Sequence, residues 1–295
     1  MSAADDHHTA PVGIALGRLA EAVRRSRLGR LWLHHETARV VAQLFSRGAQ
    51  PMSPEDLLAL TANAGEGMAN VEQAAARRFW LEALGHWTNP DHLNGGSTTY
   101  TEVITALRNL RVGGISPGEL ALQAPVHMGA LVDAILPSVS LALPAEDDDF
   151  DSAFPLALAA ACEAGRARLL ALERDFARWQ SLLPNARSDS RLDDALVLLG
   201  TVHALTPRFV GESLSLTRQA SARLLRRLAD LGIVRKATKR KRWLIYLAEN
   251  AAPAAMILES TRAPSKETVI DTARVDRVLE EAYAALDRAT RRDQT

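Results

Sequence analysis

The stretch Thr217 to Val234, TRQASARLLRRLADLGIV, changes its period at a single residue. Before Gly232 the apolar residues recur every three or four positions, as on one side of an α-helix. After it stand Ile233-Val234, which are β-prone. Thr217 is a good N-cap, and Gly232 is a natural stop because glycine accepts the left-handed backbone that closes a helix. At about 100° per residue, Ala220, Ser221, Leu224, Leu228 and Leu231 share one face, with Leu225 at its margin. A helix with that stripe must pack against partners, and the flanking sequence supplies them.

Leu192 to His203 reads as an amphipathic helix with Leu192, Ala195, Leu196 and Leu199 inward. Thr206-Pro207 opens a second, short helix reaching about Leu214, with a Thr cap and Pro at the first position. Ser215-Leu216-Thr217 is then a tight connection, so the last two helices form a helix-turn-helix. Ile233-Val234 and Trp243 to Leu247 read as two strands around the basic turn Arg235 to Arg242, RKATKRKR. Three helices followed by such a hairpin predict a winged helix over residues 191–248.

Charge is concentrated here. Leu214 to Ala248 holds ten Arg and Lys and one acid, Asp230, against 25 basic and 34 acidic residues elsewhere, so a neutral chain is +9 in this block and −9 outside it. Gln219, Ala222, Arg223 and Arg226 fall opposite the apolar stripe and are the expected base contacts. Arg bonds guanine bidentately, Gln reads adenine, and a small residue permits close approach. Thr217, Arg218 and Arg227 on the flanks, with Lys239, Arg240, Lys241 and Arg242 in the turn, are expected to contact phosphates. The expected partner is double-stranded DNA. The acidic remainder would keep other surfaces off it.

Upstream, the expectation is a helical domain over 11–183 behind a disordered tail at 1–10. Ser53-Pro54-Glu55-Asp56 is a helix start. Val71 to Trp87 and Thr98 to Leu110 read as helices. Ser116-Pro117-Gly118 reads as a turn, and Leu120 to Ile135 as a helix interrupted at Pro125. Phe154 to Leu183 is the longest helix, with Leu169, Leu172, Phe176, Trp179 and Leu183 stepping by three and four. Residues 184–190 and 249–264 read as linkers. Ser265 to about Arg291 reads as a last helix, whose narrow stripe of Val275, Leu279, Ala282 and Leu286 suits pairing with a second copy. The fold class is mainly α, and a homodimer is expected.

One cysteine, Cys162, rules out a disulfide framework or a Cys-based zinc site within one chain. With no secretory leader and no long apolar run, the expected location is cytoplasmic, away from membranes. Adjacent His34-His35 diverge on a helix, so with Glu36 they do not form a zinc pair. Asp147-Asp148-Asp149 lacks the Gly and Glu of a calcium loop. Asn94-Gly95-Gly96-Ser97 has no following Lys and reads as a turn. Trp80, Trp87 and Trp179 read as core, and Cys162 as buried and inert. No cofactor, metal or catalytic residue is expected.

The motif T-R-Q-A-S-A-R-L-L-R-R-L-A-D-L-G-I-V-R-K-A-T-K-R-K-R resembles the winged helix-turn-helix at the C-terminus of Fic-family proteins. Their pattern is a capped helix, Leu-x-x-Leu-x-x-Leu-Gly-Ile-Val, and a Thr-x-x-Lys/Arg-x-Arg wing. The likeness covers about 60 residues. The whole chain is more loosely similar to plasmid-associated alphaproteobacterial helix-turn-helix proteins. The resemblance implies DNA binding, in transcription regulation or plasmid maintenance. Fic enzymes transfer AMP from a loop H-P-F-x-x-G-N-G-R. The nearest approach here, His127-Met128-Gly129, lacks its Asn and Arg, so no catalytic residue is carried over. A Fic-like protein with a degenerate loop, and an adaptor whose winged helix binds an acidic protein, are the two alternatives.

Overall fold

The computed structural model describes residues 6–45, 52–61, 71–87, 99–115, 117–143, 150–183, 190–237 and 244–249. The chain is mainly α, and its only strands among those residues are three short ones. None of the described helices is long and apolar enough to cross a membrane. Two compact units divide it: Met1–Val40 with Arg78–Leu170 and Asp276–Thr295, and Val41–Arg77 with Ala171–Val275.

In the first unit, α1 (Asp6–Arg25) is anchored by Val12, Leu16, Leu19 and Ala20, all buried. It begins inside the stretch expected to be disordered. Its anchoring stripe lies beyond Pro11, and extending a helix already nucleated costs little per residue. The second helix, α2 (Gly29–Phe45), carries Trp32, whose indole N–H donates to the Gly165 carbonyl at 2.9 Å. From α4 (Val71–Trp87), Trp80 and Trp87 donate to the carbonyls of His34 (3.3 Å) and Leu122 (3.1 Å). Both are buried core residues, as expected. The capping box of α5 (Tyr100–Val112) joins Thr99 and Glu102, which places its start two residues later than expected.

The sixth helix, α6 (Pro117–Val132), departs from the sequence reading. Pro117 and Gly118 lie within it rather than in a turn, and Pro125 does not break it. Leu120, Ala121, Leu122, Ala124 and Met128 are all buried, so packing around the helix outweighs the one lost hydrogen bond and the ring's clash. A 3-10 turn follows (Pro137–Ala142), which periodicity did not signal. It brings Ser138 to a buried ionic cluster. Glu36, 1% exposed, accepts from Arg168 Nε and Nη2, both at 2.6 Å, and from the Ser138 hydroxyl at 2.6 Å. Arg168 projects from α7 (Phe150–Leu182), which starts before the expected Phe154. Gly165 on the same helix permits this packing. A Cβ there would lie 2.7 Å from Ser138 Oγ and 3.3 Å from both Leu19 and Trp32.

The second unit contains α3 (Pro54–Thr61), α8 (Ser190–Val202), α9 (Pro207–Leu214) and α10 (Arg218–Asp230). Its antiparallel sheet has the order β1 (Ala204–Leu205), β3 (Tyr246–Ala248), β2 (Val234–Lys236). Ser53 caps α3 as expected, its hydroxyl accepting from Asp56 N–H at 3.0 Å. This helix packs on α8 and β1, so a segment far upstream in sequence helps close the unit. Trp179 is buried in the same core as Leu192, Leu196, Leu199, Leu225 and Leu228, with Phe176 beside it. The unit thus takes in residues upstream of the linker expected at 184–190, most of which lies outside the described residues, as do all but the first residue of the linker expected at 249–264 and the helix expected at 265–291.

Candidate nucleic-acid interface

The α9–α10 connection is built by caps at each step. The Thr206 hydroxyl accepts from Phe209 N–H at 3.1 Å and opens α9. Ser215 closes it in the left-handed conformation (φ 55°, ψ 42°), and the Gly211 carbonyl accepts from the N–H groups of both Ser215 and Leu216. Thr217 then caps α10, accepting from Ala220 N–H at 3.2 Å, while the buried Ser221 hydroxyl donates to the Thr217 carbonyl at 3.0 Å. Gly211 allows the turn to close this tightly. A Cβ there would stand 3.0 Å from the Leu216 carbonyl oxygen and 3.3 Å from Ser221 Oγ.

At the far end of α10, Gly232 has φ 70°, and Ile233 N–H reaches back to the Leu228 carbonyl at 3.0 Å. This closure turns the chain directly into β2. Two strands follow Gly232, paired with Val234 opposite Ala248 and Lys236 opposite Tyr246, but their bounds differ from those expected: β2 takes in Arg235 and Lys236 of the expected turn, and β3 begins only at Tyr246. The two-residue strand β1, which pairs with β3, had no legible signal. It is too short to show alternation, and its edge position comes from tertiary pairing.

The inner face of α10 consists of Ser221, Leu224, Leu225 and Leu228, all buried. Leu225, read as marginal, is fully buried, while Ala220 and Leu231 are half-buried. The centre of the buried face is rotated toward Leu225 because α9 and β2 both pack on this helix. Gln219, Arg223 and Arg226 are exposed on the opposite face, and Arg218 and Arg227 are exposed beside them. Ala222 is half-buried at the edge of that face. Arg226 Nε donates to the Ala222 carbonyl at 3.2 Å, which leaves the two terminal nitrogens of its guanidinium pointing away from that bond. Arg218 and Arg223 have no ion-pair partner among the described residues. Lys239, Arg240, Lys241 and Arg242 lie outside the described residues.

Several neighbours were not singled out from sequence. Arg208, exposed in the first turn of α9, pairs with Glu212 at 2.8 Å. Together with Pro207, Gly211, Leu216 and Arg218 these two line a shallow depression beside the turn. Asp230 is exposed on the last turn of α10. The helical wheel already held the signal for Asp230, eleven positions after Gln219 and so on nearly the same side.

His34, Glu36 and Cys162 sit in packing roles, whereas Asp147-Asp148-Asp149 and Asn94-Gly95-Gly96-Ser97 lie outside the described residues. Glu36 is taken up by Arg168 and Ser138, so its carboxylate is spent inside the fold. Burial lowers the His34 pKa from its ordinary value, and its ring meets Trp80 edge to face. Cys162 is buried, and burial with the nearby Glu163 charge pushes its thiol up to about 12, so it is a poor nucleophile at neutral pH. Burial likewise pushes the Tyr100 hydroxyl up to about 12. No protein-family model matches the chain, and no curated protein is similar to it.

Proposed function

We propose that the chain binds double-stranded DNA, with residues 191–248 acting as a winged helix and α10 as the element that enters the major groove. The observation that carries this reading is a row of exposed Gln219, Arg223 and Arg226 on a helix held from the other side by the buried Ser221, Leu224, Leu225 and Leu228. Side chains free on a rigid support are what base recognition requires. The charge at the start of α10 supports it too. The first helical position is Arg218 and the first turn has no acid, an arrangement unfavourable for the helix dipole by itself. A phosphate near Thr217 and Arg218 would reverse that. In this reading Gln219, Ala222, Arg223 and Arg226 meet base edges, while Thr217, Arg218, Arg227 and Lys239 to Arg242 hold the backbone. The protein then acts as a transcription regulator or plasmid-maintenance factor in the cytoplasm. It binds as a homodimer on two half-sites.

The test is fluorescence anisotropy of the purified chain on a random duplex library, from low to physiological salt, with the bound fraction sequenced. The expected result is a motif with half-sites about one helical turn, roughly 10 base pairs, apart. An absence of binding even at low salt would overturn the reading.

A further inference from the structure

The outward row of α10 is not purely basic. At about 100° and 1.5 Å per residue, Gln219, Arg223, Arg226 and Asp230 follow one line along the helix over about 16 Å. All four are exposed. The first three span about 10 Å, close to three base-pair steps, and Asp230 ends the row. The Asp230 carboxylate makes no hydrogen bond or ion pair among the described residues, although Arg226 and Arg227 are four and three positions before it. An acid in the last turn of a helix also opposes the macrodipole. Asp230 therefore serves neither a local pair nor the helix end.

We propose that Asp230 is a specificity-determining residue that weakens docking on arbitrary duplex more than docking on the target. This rests on the DNA reading above. Guanidiniums with no guanine to grip turn to phosphates, which are present at every step of any duplex. That slide onto the backbone brings the whole outward row against the strand, and the carboxylate at its end is then repelled. On the target, the Arg223 and Arg226 forks are held by guanine edges, with the N-terminal half of α10 deepest in the groove. Asp230 then remains at the outer end of the helix, away from the phosphates. Discrimination comes from a charge that penalises the wrong complex as well as from contacts that favour the right one.

The experiment compares the full-length wild type with Asp230→Asn and Asp230→Glu on the selected duplex and on a scrambled duplex of equal composition, at two salt concentrations. Asp230→Asn is expected to tighten binding to the scrambled duplex roughly fivefold, the scale of one exposed charge interaction, and to change binding to the selected duplex less than twofold. Asp230→Glu should keep the discrimination of the wild type. Equal tightening on both duplexes would overturn the proposal, since Asp230 would then be a general repulsive charge. No change on either would overturn it as well. A wild type that binds neither duplex would overturn the DNA reading itself, and this inference with it.

Discussion

Arginine appears in two opposite conditions in this protein. Arg168 is held at 2.6 Å by a carboxylate that is 1% exposed, and that carboxylate also takes a serine hydroxyl. Arg218 and Arg223 stand exposed with no ion-pair partner among the described residues. The first arrangement holds helices together around desolvated charge, where losing one partner is costly because the other remains buried. The second contributes little to folding, since an exposed side chain can leave its position without a desolvation penalty. The residue type is the same, and the difference lies in whether the fold supplies a counter-charge. Where it does, the arginine is structural. Where it does not, the charge is available to something outside the chain.

The sharpest way to break this contrast is Glu36→Ala. It should cost about 3 kcal/mol in urea denaturation, at the low end for a buried pair because Arg168 keeps 29% of its own exposure. A loss below about 0.5 kcal/mol would mean that the cluster does not hold the first unit together. Next in its effect on stability is Gly211→Ala. The added methyl would stand 3.0 Å from the Leu216 carbonyl oxygen, which must give by a few tenths of an ångström, and this crowding is offset in part by alanine's better helix propensity, for an expected net loss of about 1 kcal/mol. Because the turn positions α10, DNA affinity should fall further than the lost stability explains.

Arg223→Ala and Arg226→Ala should show the reverse pattern. Each should leave the denaturation midpoint within about 0.5 kcal/mol of wild type. Each should weaken binding to the selected duplex by roughly 1–3 kcal/mol. Equal binding on every sequence would remove these two residues from base reading. The smallest expected effect is that of His34. Its native pKa lies below the ordinary 6.5, so the unfolded chain takes up a proton first as pH falls. Stability should therefore decline as pH drops below about 6.5, and His34→Gln should flatten that part of the profile without altering DNA affinity.

Much of the second unit was legible because its signals are local. Thr206-Pro207, Thr217 and Gly232 mark helix ends through their own backbone and side-chain chemistry, and the structure has α9 and α10 between those marks. The outward positions of Gln219, Arg223 and Arg226 follow from a 3.6-residue period once the leucines set the inner face. Less was legible where packing overrides local preference. Pro125 sits unbroken within α6, and Pro117-Gly118 opens that helix rather than a turn. The stabilising neighbours there come from other parts of the chain, and no window of sequence contains them.

The caps and the helical period could be read from the amino-acid sequence because each depends on residues within one or two turns of each other, and the charge block because it is a count over one contiguous stretch. Only the tertiary structure decided which polar groups are spent on the fold. That Glu36 meets Arg168 and Ser138 depends on contacts more than 100 positions apart. So does the burial of Trp32 over Gly165. In the second unit, the joining of α3 to α8 and β1 is equally remote. A charge can be counted from sequence, but its counter-charge is found only when the chain has folded.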